Sequence, residues 1–178
     1  MNTSSLIRSD LMAKAKWLYG DTSLRSMLKA RFTAGTSAMI VYRWMQWCQR
    51  RHLAPLAMIC NKLNVVFGHC IIGRNAQFGP GFVLIHSEGV VINSAVRGGC
   101  NIMVEHQVTI GAEKDRAPVL GDDIFLGAGA RILGAVRVGS NVRVGANAVV
   151  VDDVPDGATV VGIPARVVKM QTGAVARL

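Results

Sequence analysis

Two histidines, His86 and His106, each stand two places after an aliphatic residue, Leu84 and Val104, and twenty residues apart. An imidazole can change charge near neutral pH, so a positioned one can take a proton from a hydroxyl and return it later in a group transfer. No serine or cysteine lies in a recognisable nucleophile motif, which points away from a covalent enzyme intermediate. A lone surface histidine is usually incidental. Two become a site only if the fold returns the chain to the same place between them.

The surrounding sequence contains the means of doing so. Leu120, Leu126, Ile132, Val138, Val144 and Val150 are six residues apart, and Ile72, Phe78 and Leu84 keep the same step upstream. Gly follows most of these aliphatics. The place two before is small or branched, as at Val108, Ile124, Val136, Val142 and Ala148. A hexapeptide period is the signature of a β-helix, in which about 18 residues make one turn and stacked turns bury a continuous apolar column. Hairpins fail on spacing, since alternation never outlasts one hexapeptide and Asp156-Gly157 is the sole tight-turn pair of its kind. The fold expected is mainly β: a left-handed parallel β-helix over residues 66–155. A small α-helical module (1–65) precedes it, and a closing segment with a tail (156–178) follows.

Two interruptions break the column. Leu84 to Ile92 is a step of eight, through His86-Ser-Glu88-Gly89, and Ile110 to Leu120 is a step of ten, through the loop containing Arg116. Insertions in a solenoid are surface loops that commonly build its binding site. The separation of the histidines equals one turn plus the two-residue insertion, so both are expected at one corner of the prism, flanked by the two insertions.

Residues 1–65 read as helices. Asp10 is expected to cap a first helix that Gly20 ends, and Asp21, Thr22 and Ser23 to cap a second running to Phe32. Ser37 precedes a third, rich in Met and Trp, and Pro55 opens a fourth. The Met–Trp stripe is read as core or subunit interface, with a helix lying in a bilayer interface as the alternative.

The net charge of +9 is concentrated here: ten Lys/Arg against two Asp in residues 1–65, and ten against nine in the remainder. Such a segment suits an anionic surface, and peripheral membrane contact is one expectation. The other is a solvated helix face. Nucleic acid is not expected, because no nucleic-acid-binding motif accompanies the charge. Four cysteines without a C-x-x-C pair indicate neither a zinc site nor a disulfide framework. No signal sequence opens the chain, and a cytoplasmic location is expected, at most against the inner face of the membrane.

Residues 120–169 closely resemble the hexapeptide-repeat acetyltransferases, above all their serine acetyltransferase-like branch. The carriers are Gly127-Ala-Gly-Ala-Arg-Ile-Leu-Gly134, Gly145-Ala-Asn-Ala-Val-Val-Val151, Asp153-Val-Pro155 and Gly162-Ile-Pro-Ala-Arg166. The likeness continues upstream through Val104-Glu-His-Gln-Val-Thr-Ile-Gly111, Ile85-His-Ser-Glu-Gly-Val-Val-Ile92 and Val41-Tyr-Arg-Trp44. It implies an acetyl-CoA-dependent O-acetyltransferase, built as a homotrimer with sites between subunits. His86 is the implied general base, with His106 assisting or holding the acceptor. Gly111, Ala128, Gly129 and Ala146 would let the pantetheine arm approach the backbone, and Arg166 and Lys169 would meet phosphates. Asp21, Glu88 and Arg116 are the candidates to face the acceptor. No metal is expected, since a zinc site needs about three close protein ligands and this corner offers two.

The resemblance also has departures. Serine acetyltransferases place an Asp one turn before the catalytic His, another directly before it, and a His after the Arg of the long loop. The matching places here are Ile71, Ile85 and Ala117. Loss of these groups argues for a sugar hydroxyl over L-serine, and the short helical module is similar to that of colanic-acid and other exopolysaccharide acetyltransferases. The expectation from sequence is therefore acetyl transfer to a glycan in exopolysaccharide or capsule assembly. L-serine O-acetylation is the alternative, and a non-catalytic scaffold the alternative of another class.

Overall fold

The hexapeptide aliphatics line one shared interior. Ile72, Leu84, Ile92, Val104, Ile110, Leu126, Ile132 and Val144 are all at most 1% exposed. The structure, a computed structural model, describes residues 1–114 and 116–171. Its strands, β1 to β15 in chain order, form three sheets around that interior.

Sheet A stacks β1 (Ile71–Ile72), β4 (Val91–Ile92), β7 (Thr109–Gly111), β10 (Arg131–Leu133) and β13 (Val149–Val150). Sheet B stacks β2 (Gln77–Phe78), β5 (Arg97–Gly98), β8 (Val119–Leu120) and β11 (Arg137–Val138). Sheet C stacks β3 (Val83–Leu84), β6 (Ile102–Val104), β9 (Ile124–Leu126), β12 (Arg143–Val144) and β14 (Ala158–Val161), all parallel. The antiparallel β15 (Arg166–Met170) completes it. The chain thus visits A, B and C in turn, as a parallel β-helix must. The small or branched residues two before these aliphatics are buried as well: Val108, Ile124, Val136, Val142 and Ala148.

Four helices precede the column: α1 (Thr3–Tyr19), α2 (Leu24–Arg31), α3 (Thr36–Arg50) and α4 (Ala54–Val66). Asp10 does not cap α1. Asn2 does, its Oδ1 accepting from the Ser5 N–H at 2.8 Å, and Asp10 lies buried in the helix interior. Gly20 ends α1 in the left-handed region at φ 80°, Ser23 caps α2, and Pro55 sits in the first turn of α4. The Met–Trp stripe divides. Met39 and Met45 are core, whereas Trp44 is exposed and meets Trp47 edge-on at 5.9 Å.

The module's buried polar side chains explain how it joins the column. Ile71 and Gly73 donate their N–H groups to Val90 and Ile92 of the second turn, so the carbonyl of Ile72 faces the opposite way. At that open end no earlier turn exists to satisfy it, and a buried unpaired carbonyl is costly. Helix side chains replace the missing turn, one per sheet. Asn61 donates to Ile72 O at 2.8 Å, Arg43 Nη1 to Phe78 O at 2.8 Å, and Lys14 Nζ to Leu84 O at 2.8 Å.

Arg43 also forks onto Asp10 at 2.7 and 2.9 Å, and Asp10 Oδ1 accepts from the Gly81 and Phe82 N–H groups. Tyr42, Phe78 and Phe82 plug the apolar end, with Phe78 stacked on Phe82 at 4.3 Å. At the far end the closing segment covers sheet A, where the Val149 N–H donates to Gly162 O and the Ala165 N–H to Val149 O. The last part of the expected tail, 172–178, lies outside the described residues.

Candidate active site

The register settles where the histidines stand. Leu84 pairs with Val104, Val104 with Leu126, and Leu126 with Val144. Two places after each come His86, His106, Ala128 and Ala146, which therefore form one column at the corner where the chain leaves sheet C for sheet A. The imidazoles of His86 and His106 lie 6.0 Å apart between centroids, inclined at 71°. His86 is exposed and the side chain of His106 about half so. Glu105 brings Oε2 within 3.6 Å of His106 Nδ1, a carboxylate neighbour the sequence pattern had not singled out.

The backbone around this pair is tightly tied. The Ile85 N–H donates to Val104 O at 2.8 Å, the Gln107 N–H to Glu88 O at 2.8 Å, and the Gly129 N–H to His106 O at 2.9 Å. The two-residue insertion widens the first turn while keeping its exit: Gly89 (φ 69°) packs against Gln107 (φ 57°), both in the left-handed region.

Behind the histidine corner lies Lys14, fully buried. Its ammonium touches the carbonyls of Leu84, Ile85 and Ala34, so it grips the two peptide groups that lead into His86. Burial lowers the Lys14 amine to about 8, with Glu88 pulling the other way. Nothing local in the sequence marks this lysine, because its partners lie 20, 70 and 71 residues away.

The structure therefore brings together His86, Glu88, His106, Ala128, Gly129 and Ala146. It does not bring the ten-residue step to the same place. Gly111 ends β7 and pairs with Leu133, and Arg116 lies in the loop that follows. That loop occupies the next corner, between sheets A and B. The two insertions sit on successive corners with sheet A between them, and do not flank one corner as expected. Counting faces from Ile72 would have shown it, because Ile110 closes a sheet A segment and Leu84 a sheet C segment.

Arg116, Glu113, Leu133, Gly134, Asp152 and Asp153 line a groove of about 670 Å³ beside that second corner. Arg166 and Lys169 are on β15, and Arg166 already pairs with Asp152 at 3.1 Å. Asp21 stands in the turn before α2, where it accepts from the Ser23 N–H at 2.7 Å and from the Ser26 hydroxyl at 3.0 Å. The Ser23 hydroxyl first, then the Ser23 N–H and the Ser26 hydroxyl, hold its carboxyl below the ordinary range. Ile85 is buried and Ile71 exposed, and neither place offers a carboxylate.

The four cysteines are free thiols. Burial raises those of Cys60, Cys70 and Cys100, Cys70 to about 12, so none of the three is a thiolate nucleophile near neutral pH. Among the described residues no group of three or more His, Cys, Asp or Glu could hold a metal ion. No helix among them is long and apolar enough to cross a membrane.

Comparison with known proteins agrees with this geometry. The family model described as bacterial transferase hexapeptide (six repeats) matches residues 117–152. A serine acetyltransferase of Helicobacter pylori is 36% identical over 138 residues, covering 75% of this chain and 81% of that protein. One of Synechococcus elongatus is 34% identical over the same length, but the chain spans only 57% of it. A serine acetyltransferase solved in complex with CoA superposes with a TM-score of 0.82 at 28% identity, covering 94% of this chain and 71% of that one. These relatives carry the serine acetyltransferase name, and none of them the exopolysaccharide one. With its histidine corner set on a parallel β-helix behind four helices, the chain belongs to the serine acetyltransferase family of hexapeptide-repeat transferases.

Proposed function

We propose that the chain transfers acetyl from acetyl-CoA directly to a hydroxyl, with His86 as general base. The observation that carries this reading is the column His86–His106–Ala128–Ala146. It sets one exposed and one half-exposed imidazole at the end of a track of small side chains, along which a thin pantetheine arm can lie. In the step proposed, neutral His86 takes the acceptor O–H proton while that oxygen attacks the thioester carbonyl. The tetrahedral adduct collapses, the C–S bond breaks, and the leaving thiolate recovers the proton from the imidazolium. His106, with Glu105 beside it, orients the acceptor. Glu88 and Asp21 are proposed on the acceptor side, and Lys169 and Arg166 on the phosphate side, where CoA would compete with Asp152 for Arg166.

Gly111 and Arg116 stand one corner away from the histidines. The reading therefore includes a homotrimer in which the loop of one subunit completes the histidine corner of the next.

The names of the relatives favour L-serine over a sugar as acceptor, and L-serine is the acceptor proposed. A sugar hydroxyl is kept as a second reading on one observation: Ile85, Ile71 and Ala117 supply none of the charged groups an α-amino acid would need. Thiol release from acetyl-CoA, measured with L-serine and with a panel of sugars, separates the two. Turnover on L-serine at about 1 s⁻¹ or faster supports the first, and turnover confined to a sugar replaces it. His86→Ala should lower turnover by about 10²–10⁴-fold while CoA still binds in a calorimetric titration. Near-normal turnover in that variant would remove His86 from the role of base.

A further inference from the structure

A second wide cavity lies away from the histidine corner. It is an open groove of about 890 Å³ on sheet B, opposite that corner in the same prism, between the column and the junction of α3 with α4. Its lining includes Arg50, His52, Arg74 and Arg97 and contains no Asp or Glu. Among the described residues, none of these four lies within salt-bridge distance of a carboxylate. Three guanidinium groups facing one groove repel one another, and an uncompensated cluster of this kind lowers its energy by taking up an anion.

The groove is also built to hold its cations in place. Arg97 Nη1 donates to Asn75 O, Ala95 O and Val96 O at 3.0–3.1 Å, which fixes that guanidinium against the corner between sheets A and B. Gln49 of α3 reaches across to the Asn75 side chain and ties the helical wall to the column. Ala76, Phe78 and Gly98 also line the groove and carry no charge, leaving room for an uncharged portion of a ligand beside the cations. The start of α4 at Ala54 borders the groove without a side-chain cap and adds potential of the same sign.

We infer that this groove is a binding site for a ligand bearing a diphosphate or two neighbouring phosphates. Planar guanidinium forks pair with phosphate oxygens two at a time, and several such forks suit a dense charge better than a single carboxylate. The volume lies within the range of small-ligand sites and exceeds the need of one phosphate, so it leaves space for the group that the diphosphate carries. The inference does not depend on the acetyl-transfer reading, since none of these residues belongs to the histidine corner.

The test is calorimetric titration of the full chain with inorganic pyrophosphate, in the absence of CoA. Wild type is expected to bind, and Arg74→Gln/Arg97→Gln to bind at least about tenfold more weakly, with circular dichroism and thioester turnover unchanged. Arg50→Gln, on the other wall, gives an independent loss if the double variant fails to fold. No binding at millimolar pyrophosphate overturns the inference. So does equal affinity in the folded variants.

The source of the phosphates is read in a second arm, with phosphatidylcholine vesicles with and without phosphatidic acid. Retention on the acidic vesicles that the double variant loses assigns a lipid headgroup. Pyrophosphate binding without retention assigns a soluble phosphate compound.

Discussion

His86 and His106 stand in the same register position on adjacent turns, yet their surroundings differ. His86 has two gripped peptide groups behind it, whereas His106 has Glu105 at 3.6 Å and the Gly129 N–H on its carbonyl. A residue that positions an acceptor changes KM, while one that moves the proton changes kcat. His106→Asn is therefore expected to raise the acceptor KM by about tenfold with kcat within about threefold of wild type, measured by steady-state thiol release. A loss of kcat equal to that of His86→Ala would make the two a joint proton relay. Lys14 contributes a pH dependence of stability with a defined sign. Its folded value of about 8 lies below the ordinary 10.5, so between these limits the unfolded chain binds a proton that the folded chain does not. Stability must then rise with pH across that window, as the charging penalty of the buried amine is relieved. Lys14→Met lacks this slope, and urea unfolding of both proteins above pH 8 should show the difference shifting toward wild type.

At the scale of elements, the period of six made the strands legible, because each aliphatic must return to one interior every third hexapeptide. Ile72, Ile92, Ile110, Ile132 and Val150 all fall in sheet A as that count requires. The joint between helices and column was not legible. Asp10 reads locally as a helix cap, and only the fold reveals that its carboxylate is taken by Arg43, 33 residues on. The same holds for Lys14 and Asn61, whose partners are carbonyls and leave no trace in residue type. Asp10→Ala would strand Arg43 in the interior, and a loss of about 3–5 kcal/mol in urea unfolding is expected. Asn61→Ala, at a half-buried place, should cost about 1 kcal/mol by the same measurement. An equal loss in both would mean that the ion pair adds nothing beyond one hydrogen bond.

For the whole molecule, the separation of Gly111 and Arg116 from the histidines is informative. In the function proposed, one chain offers two half-sites on successive corners, and a ring of copies would bring each loop to a neighbour's histidines. Mixing His86→Ala with Arg116→Ala, each of low activity alone, should restore sites that draw one intact half from each subunit. Recovery of turnover after the two are unfolded and refolded together would support the shared site, and no recovery would place both halves in one subunit's own site. The concentration of charge in the helical module follows the same asymmetry, since the column itself is nearly neutral while its cap is strongly basic.

The cap of helix side chains also fixes where the column can change length. Lys14, Arg43 and Asn61 occupy the outward carbonyls of the first turn, so another turn cannot be stacked there without displacing all three. The histidines belong to the first two turns, directly beneath that lock. Growth is left to the far half. One more turn of about 18 residues inserted after Val144 would lengthen the prism without moving His86 relative to Lys14. The same insertion before Leu84 would part them. The molecule has one end fixed by its helices, where the histidines stand, and one end whose turns can be added to.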